Sequence, residues 1–261
     1  MKTIHSRDNP TVRRLHALAG SARERRKYRQ TLLDGAHLLA AARQARWPLK
    51  ELVVSDHGLA QAEIVKLLDD AADVPILHLP DRLFAYVSPV DSPSGVLAVI
   101  DLPAPPPVKP LRDTVVLLDG VQDTGNLGTI LRTAAAAGVG DVLLTRGCAQ
   151  AWSPRVLRAG MGAHFVLRVH EAVDVGARLA GFCGPRIATA LTAGARSLYE
   201  VDLTGPVAWL FGAEGQGLSP EVTALASLTV TIPMQGMIES LNVGAAAAVC
   251  LFEQLRQQRC R

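Results

Sequence analysis

Five of the eight residues from Pro103 to Pro110 are proline. A stretch that lacks so many N–H donors cannot sit in a sheet ladder or a helix interior, and it favours an extended spacer. The 261-residue chain is therefore expected to fold in two parts, 1–102 and 113–261, joined by a linker over 103–112. Each part is long enough to bury its own core. Hydrophobic residues make up 49% of the chain and charged ones 20%, which excludes a largely disordered protein. Aromatics reach only 4%, so a nucleic-acid surface built mainly on stacking rings is also excluded.

Before the linker, helical spacing covers 11–19 and about 22–45, with a break near Asp34-Gly35. Strand-like runs cover 51–54, 74–79 and 95–100, with a helix around 59–68. This describes a small α/β unit. After the linker, strand-like runs recur at 115–118, 142–145, 165–169, 187–191, 207–211 and 228–232, several of them alternating with helical patterns. Such alternation indicates a mostly parallel sheet with helices on both faces.

The net charge of +3 conceals an asymmetry: residues 1–30 carry +7 and the remainder −4. A basic block on a near-neutral body suits either a solvated helix face or contact with a polyanion. The four cysteines, Cys148, Cys183, Cys250 and Cys260, are widely spaced and form no C-x-x-C pair, so reduced thiols and no metal site are expected. No signal peptide opens the chain and no run is long enough to span a bilayer, which points to a soluble, cytoplasmic protein.

Three glycine-bearing turns follow buried strands, the place where open α/β sheets bind ligands. In the first, L-D-G-V-Q-D-T-G-N-L-G-T-I-L-R-T-A over 118–134, Asn126 reads as a helix cap. Leu127, Ile130, Leu131 and Ala134 then form a buried stripe that leaves Arg132 outside it. In the second, W-L-F-G-A-E-G-Q-G-L-S-P over 209–220, Ser219 is the expected cap and Pro220 the first helical residue. Its order G-x-x-G-x-G, without an acidic residue ~20 positions later, is not a dinucleotide fingerprint. The third, 232–253, breaks a strand at Pro233 and leads into a helix apolar around most of its girth, which suggests burial on more than one side.

Taken together, N-L-G-T-I-L-R-T-A at 126–134, L-F-G-A-E-G-Q-G-L-S at 210–219 and I-P-M-Q-G-M-I-E-S-L-N-V at 232–243 resemble the SpoU/TrmH branch of the SPOUT RNA methyltransferases. The segment S-P-R-V-L-R-A-G-M-G-A at 153–163 resembles that family's connecting stretch. The first hundred residues are similar to the ribosomal-protein-like domain fused ahead of such enzymes, on T-L-L-D-G-A-H-L-L at 31–39 and S-P-S-G-V-L-A-V-I at 92–100. Asp34 and Ser94 stand where such domains commonly show Glu and Gln.

The resemblance implies methyl transfer from S-adenosylmethionine to a ribose 2′-hydroxyl of RNA, with ribosomal favoured over transfer RNA. It also implies a trefoil knot at the carboxyl end and a homodimer packed partly through the last helix. By the same resemblance Asn126, Arg132, Glu214, Ser240 and Asn242 form the catalytic set. Gly212, Ile232, Met234 and Leu241 would bind the cofactor, and Arg13, Arg14, Arg23, Arg25, Arg26, Lys27 and Arg29 would meet RNA phosphates. Phosphate contacts of that kind position RNA without reading its sequence. Two rivals stand beside this reading: a non-catalytic RNA-binding or ribosome-assembly factor with the same fold, and a small-molecule methyltransferase, which leaves the basic block unexplained.

Overall fold

In chain order the computed structural model contains β1 (Lys2–Thr3), α1 (Pro10–Gly20), α2 (Ala22–Tyr28), β2 (Gln30–Asp34), α3 (Ala36–Gln44), β3 (Leu49–Ser55), α4 (Asp56–Leu59), α5 (Ala62–Asp69), β4 (Ile76–Leu79), α6 (Asp81–Val87) and β5 (Val96–Asp101). It continues through β6 (Val115–Asp119), α7 (Thr124–Ala136), β7 (Asp141–Leu144), α8 (Pro154–Gly160), β8 (Arg168–His170), α9 (Val175–Leu179), β9 (Arg186–Thr189), β10 (Arg196–Ser197), β11 (Ala208–Gly212), α10 (Pro220–Thr223), β12 (Leu228–Thr231) and α11 (Val243–Arg259). The structure describes every residue except 191, 193, 237–239 and 261. The end of the strand expected over 187–191, and the M-I-E of the third motif, lie outside the described residues.

Two compact units result: Met1–Ala104 with Trp152–Phe165, and Pro105–Ala151 with Val166–Arg261. The first is built on a mixed sheet in the order β1-β4-β3-β5-β2, with β5 antiparallel to both neighbours. Val12, Leu15 and Leu18 of α1 recur at three-residue spacing and are wholly buried against Leu32, Val53, Leu97 and Val99 of the sheet.

The single broken helix expected over 22–45 is corrected here. Arg29 takes a left-handed backbone (φ 53) that ends α2, and the next five residues form β2 before α3 begins. Thr31, Leu32, Leu33 and Asp34 are all buried, so this segment is a strand covered on both faces and not a turn of helix.

Residues 152–165 follow the linker in sequence yet belong to the first unit. The Thr31 hydroxyl donates to the Trp152 carbonyl at 2.8 Å, and Trp47 stacks on Trp152 with ring centroids 5.6 Å apart. Arg158 ion-pairs with Asp34, whose side chain is fully buried, and the Ser94 hydroxyl donates to the same carboxylate at 2.7 Å. Burial pushes the Asp34 carboxyl above its ordinary range, outweighing the opposing pull of Ser94 and Arg158.

In the second unit seven parallel strands lie in the order β10-β12-β9-β11-β6-β7-β8. Its central strands are continuous apolar runs, Val115 to Leu118 and Ala208 to Phe211, buried on both faces. Gln254 of α11 accepts from the Trp209 indole at 2.7 Å and donates to Thr114 at 2.9 Å and to the Gly205 carbonyl at 3.0 Å. A buried amide satisfied from three sides fixes α11 against the sheet. No described helix is long and apolar enough to cross a membrane.

Candidate active site

The first and second glycine-bearing turns leave the carboxyl ends of β6 and β11, which are adjacent and parallel with Gly212 opposite Asp119. The cap of α7 is Asp123, whose Oδ1 accepts from the Asn126 N–H at 2.7 Å. Asn126 is therefore not the cap expected from the sequence. A carboxylate three residues earlier takes that task, and the Asn126 side chain is left for another.

That task is visible in its bonds. The Asn126 amide Nδ2 donates to Glu214 Oε1 at 2.6 Å, and its Oδ1 accepts from Asn242 Nδ2 at 2.9 Å. Asn242 in turn caps α11, its Oδ1 accepting from Gly244 at 2.8 Å and Ala245 at 3.3 Å. An acceptor-only carboxylate stands at one end of this chain and donor-only backbone N–H groups at the other, so both amides have a single consistent orientation. Gly244 permits the close approach: a Cβ there would meet Thr129 of α7 at 3.3 Å.

Arg132 lies one turn beyond Thr129, on the side of α7 that meets the start of α11, and it is exposed. Neither its guanidinium nor the exposed Ser240 hydroxyl is engaged by a hydrogen bond among the described residues. The buried stripe of Leu127, Ile130, Leu131 and Ala134 is as the periodicity requires.

The second turn closes on itself. Ala213 and Gly217 exchange two backbone bonds of 3.0 and 2.9 Å, and a Cβ on Gly212 would sit 2.1 Å from the Gly217 carbonyl carbon. Gly212 is thus required by the loop's own backbone, whatever else approaches it. Ser219 caps α10 and Pro220 opens it, as expected. Asp119, missed from the sequence, accepts from the Ser219 N–H at 2.7 Å and ties this loop to β6. Its signal was an acidic residue ending a wholly apolar strand.

Beyond β12, Ile232 and Met234 are half-buried, and Leu241 is 41% exposed just before α11. They leave apolar surface incompletely covered at the same end of the sheet. Among the described residues no group of three His, Cys, Asp or Glu is placed to hold a metal.

The basic block divides. Arg25 is 5% exposed, and its Nη1 donates to the Leu18 and Ala19 carbonyls at 2.8 and 3.3 Å. Burial, and then Arg26, lower its pKa. Assigning Arg25 to phosphate contact is corrected: it satisfies the last carbonyls of α1. Arg14 is likewise held, bonded to Gln30 at 2.8 Å and Glu51 at 2.6 Å. Arg13 and Lys27 have exposed ion pairs with Asp8 and Glu24. Arg23, Arg26 and Arg29 are exposed.

Residues 113–252 match the model of the SpoU rRNA Methylase family, and residues 9–98 that of the MRM3-like substrate binding domain. A 23S rRNA guanosine 2′-O-methyltransferase of Bacillus subtilis is 31% identical over 97% of this chain and 98% of its own length. A crystal structure of an RNA 2′-O ribose methyltransferase superposes with a TM-score of 0.85 at 33% identity, covering 98% of this chain and 99% of that one. An AdoMet-bound rRNA methyltransferase from Sinorhizobium meliloti gives 0.82 at 29% identity, over 98% and 97%.

Proposed function

The chain belongs to the SpoU rRNA methylase family, and from that premise we propose that it methylates the 2′-hydroxyl of a ribose in ribosomal RNA, with S-adenosylmethionine as donor. The observation that carries this reading is the Asn242–Asn126–Glu214 chain, which links the starts of two helices to a strand-end loop and serves no core.

The residues present fit the donor. Gly212 offers backbone at a strand end, and Ile232, Met234 and Leu241 offer uncovered apolar surface for an adenine face. S-adenosylmethionine, when bound, supplies a methyl group already activated on a cationic sulfur. What remains for the protein is to align the acceptor oxygen and remove its proton. Glu214 and Asn126 hold the motif loops in register, and Ser240 and Asn242 set the approach to α11. Arg132 orients the hydroxyl and a neighbouring phosphate. A guanidinium does not give up its proton in proteins, so Arg132 would hold the two groups together while the neighbouring phosphate assists removal of the hydroxyl proton.

The accompanying domain plan is a substrate-binding domain over 1–102, a linker over 103–112 and a methyltransferase domain over 113–261. Arg23, Arg26 and Arg29, with Arg13 and Lys27 after breaking their exposed pairs, meet phosphates. A homodimer through α11 is part of the same proposal, supported by Phe252, a large apolar side chain of that helix left 46% exposed. So is the carboxyl-terminal knot: β12 lies beyond β9 from β11, yet the chain returns to set Asn242 beside Asn126.

Labelled methyl transfer from S-adenosylmethionine to purified ribosomal RNA, followed by nuclease mapping, tests the reading. Label in a ribose-methylated nucleotide is expected. RNA binding with no transfer would instead indicate a non-catalytic factor.

A further inference from the structure

A cavity of about 430 Å³ opens beyond the ends of β6, β7 and β11, bordered by Asp119, Gly120, Gln122, Gly147, Glu214 and Gln216. That volume falls within the roughly 300–1,000 Å³ of sites that hold a small organic group. We propose that it receives the base of the nucleotide whose ribose is methylated, and that Gln122 and Gln216 read that base; the inference rests on the function proposed above.

Three observations support this occupant. The first is charge: no Lys, Arg or His stands among the described residues that line the cavity, so it is not built for phosphate. What it offers is two carboxamides, each carrying a donor and an acceptor side by side, which suits the edge of a nucleobase. The second is shape. Gly120 and Gly147 present bare backbone, and they are packed so closely that a Cβ on Gly147 would lie 3.3 Å from the Gly120 Cα. Walls without side chains let a flat ring lie against them.

The third is position. Glu214 borders the cavity and also accepts from Asn126, so the cavity adjoins the chain that marks the reaction site. In a nucleotide the base is attached at C1′, the carbon bonded to the one that bears the 2′-hydroxyl. A site that aligns this hydroxyl must therefore accommodate the base a few bonds away, or leave it in solvent. RNA readers commonly unstack a base and bond its edge in this way.

The test uses the full-length protein and transcripts that differ only at the mapped target nucleotide, with all four bases represented. Wild-type kcat/KM is expected to favour one base by roughly 5- to 150-fold. Gln122→Ala/Gln216→Ala should bring the four transcripts near parity, while S-adenosylmethionine affinity and melting temperature stay unchanged. A variant that keeps the wild-type preference overturns the inference, as does a wild type with no preference. Absence of methyl transfer to any RNA by the wild type overturns the functional reading and this inference with it.

Discussion

The amino-terminal basic block and the carboxyl-terminal cluster both looked functional by residue type, but their side chains are spent differently. In the block, Arg25 and Arg14 are consumed by the fold, one satisfying helix carbonyls and the other bridging Gln30 and Glu51. In the cluster, Asn126 is relieved of capping by Asp123 and its amide joins Glu214 to Asn242. Charge and polarity therefore say what a side chain is able to bind. Its neighbours decide whether it serves the fold, as Arg25 does on the helix carbonyls, or ties the motif loops together, as Asn126 does.

The sharpest way to break that contrast is at Arg132, exposed and engaged by no hydrogen bond among the described residues. Arg132→Ala should lower methyl transfer by on the order of 10²–10⁴-fold, with donor affinity intact by calorimetry; wild-type turnover would remove Arg132 from the mechanism. The block yields a paired test of smaller size. Arg25→Ala should cost about 2 kcal/mol in denaturant unfolding and leave the salt dependence of RNA binding as it was. Arg26→Ala should do the reverse, leaving stability unchanged and reducing the log–log salt slope by about 1.

Smaller still is the effect expected of Arg158→Ala, because that guanidinium is 43% exposed. The Asp34 carboxyl takes up its proton more readily folded than unfolded. Its contribution is therefore fully present below the unfolded carboxylate's pKa and is lost as pH rises through the raised folded value. Without Arg158 the buried charge has lost a partner, so the deficit in melting temperature should be larger at pH 8 than at pH 5. An equal deficit at both would show that the pair does not govern Asp34.

Much of the second unit was legible in sequence because continuous apolar strands and a period-3.6 stripe have one sensible reading. The strand β2 was not, since a buried run of Thr31, Leu32 and Leu33 between helical patterns carries no periodicity to tell strand from helix. The short β1 and β10, two residues each, fall below any pattern. Within the candidate site, the motif residues were legible but their division of labour was not. Asp123 and Asn126 are both good caps, and only the three-dimensional neighbour Glu214 decides between them.

Asn126→Ala tests the central claim most directly. Methyl transfer and melting temperature are measured on the same preparation. The account predicts a loss of transfer of about tenfold or more with an unchanged melting temperature, because the residue is held for a substrate and not for the core. Activity and melting temperature falling together would contradict it.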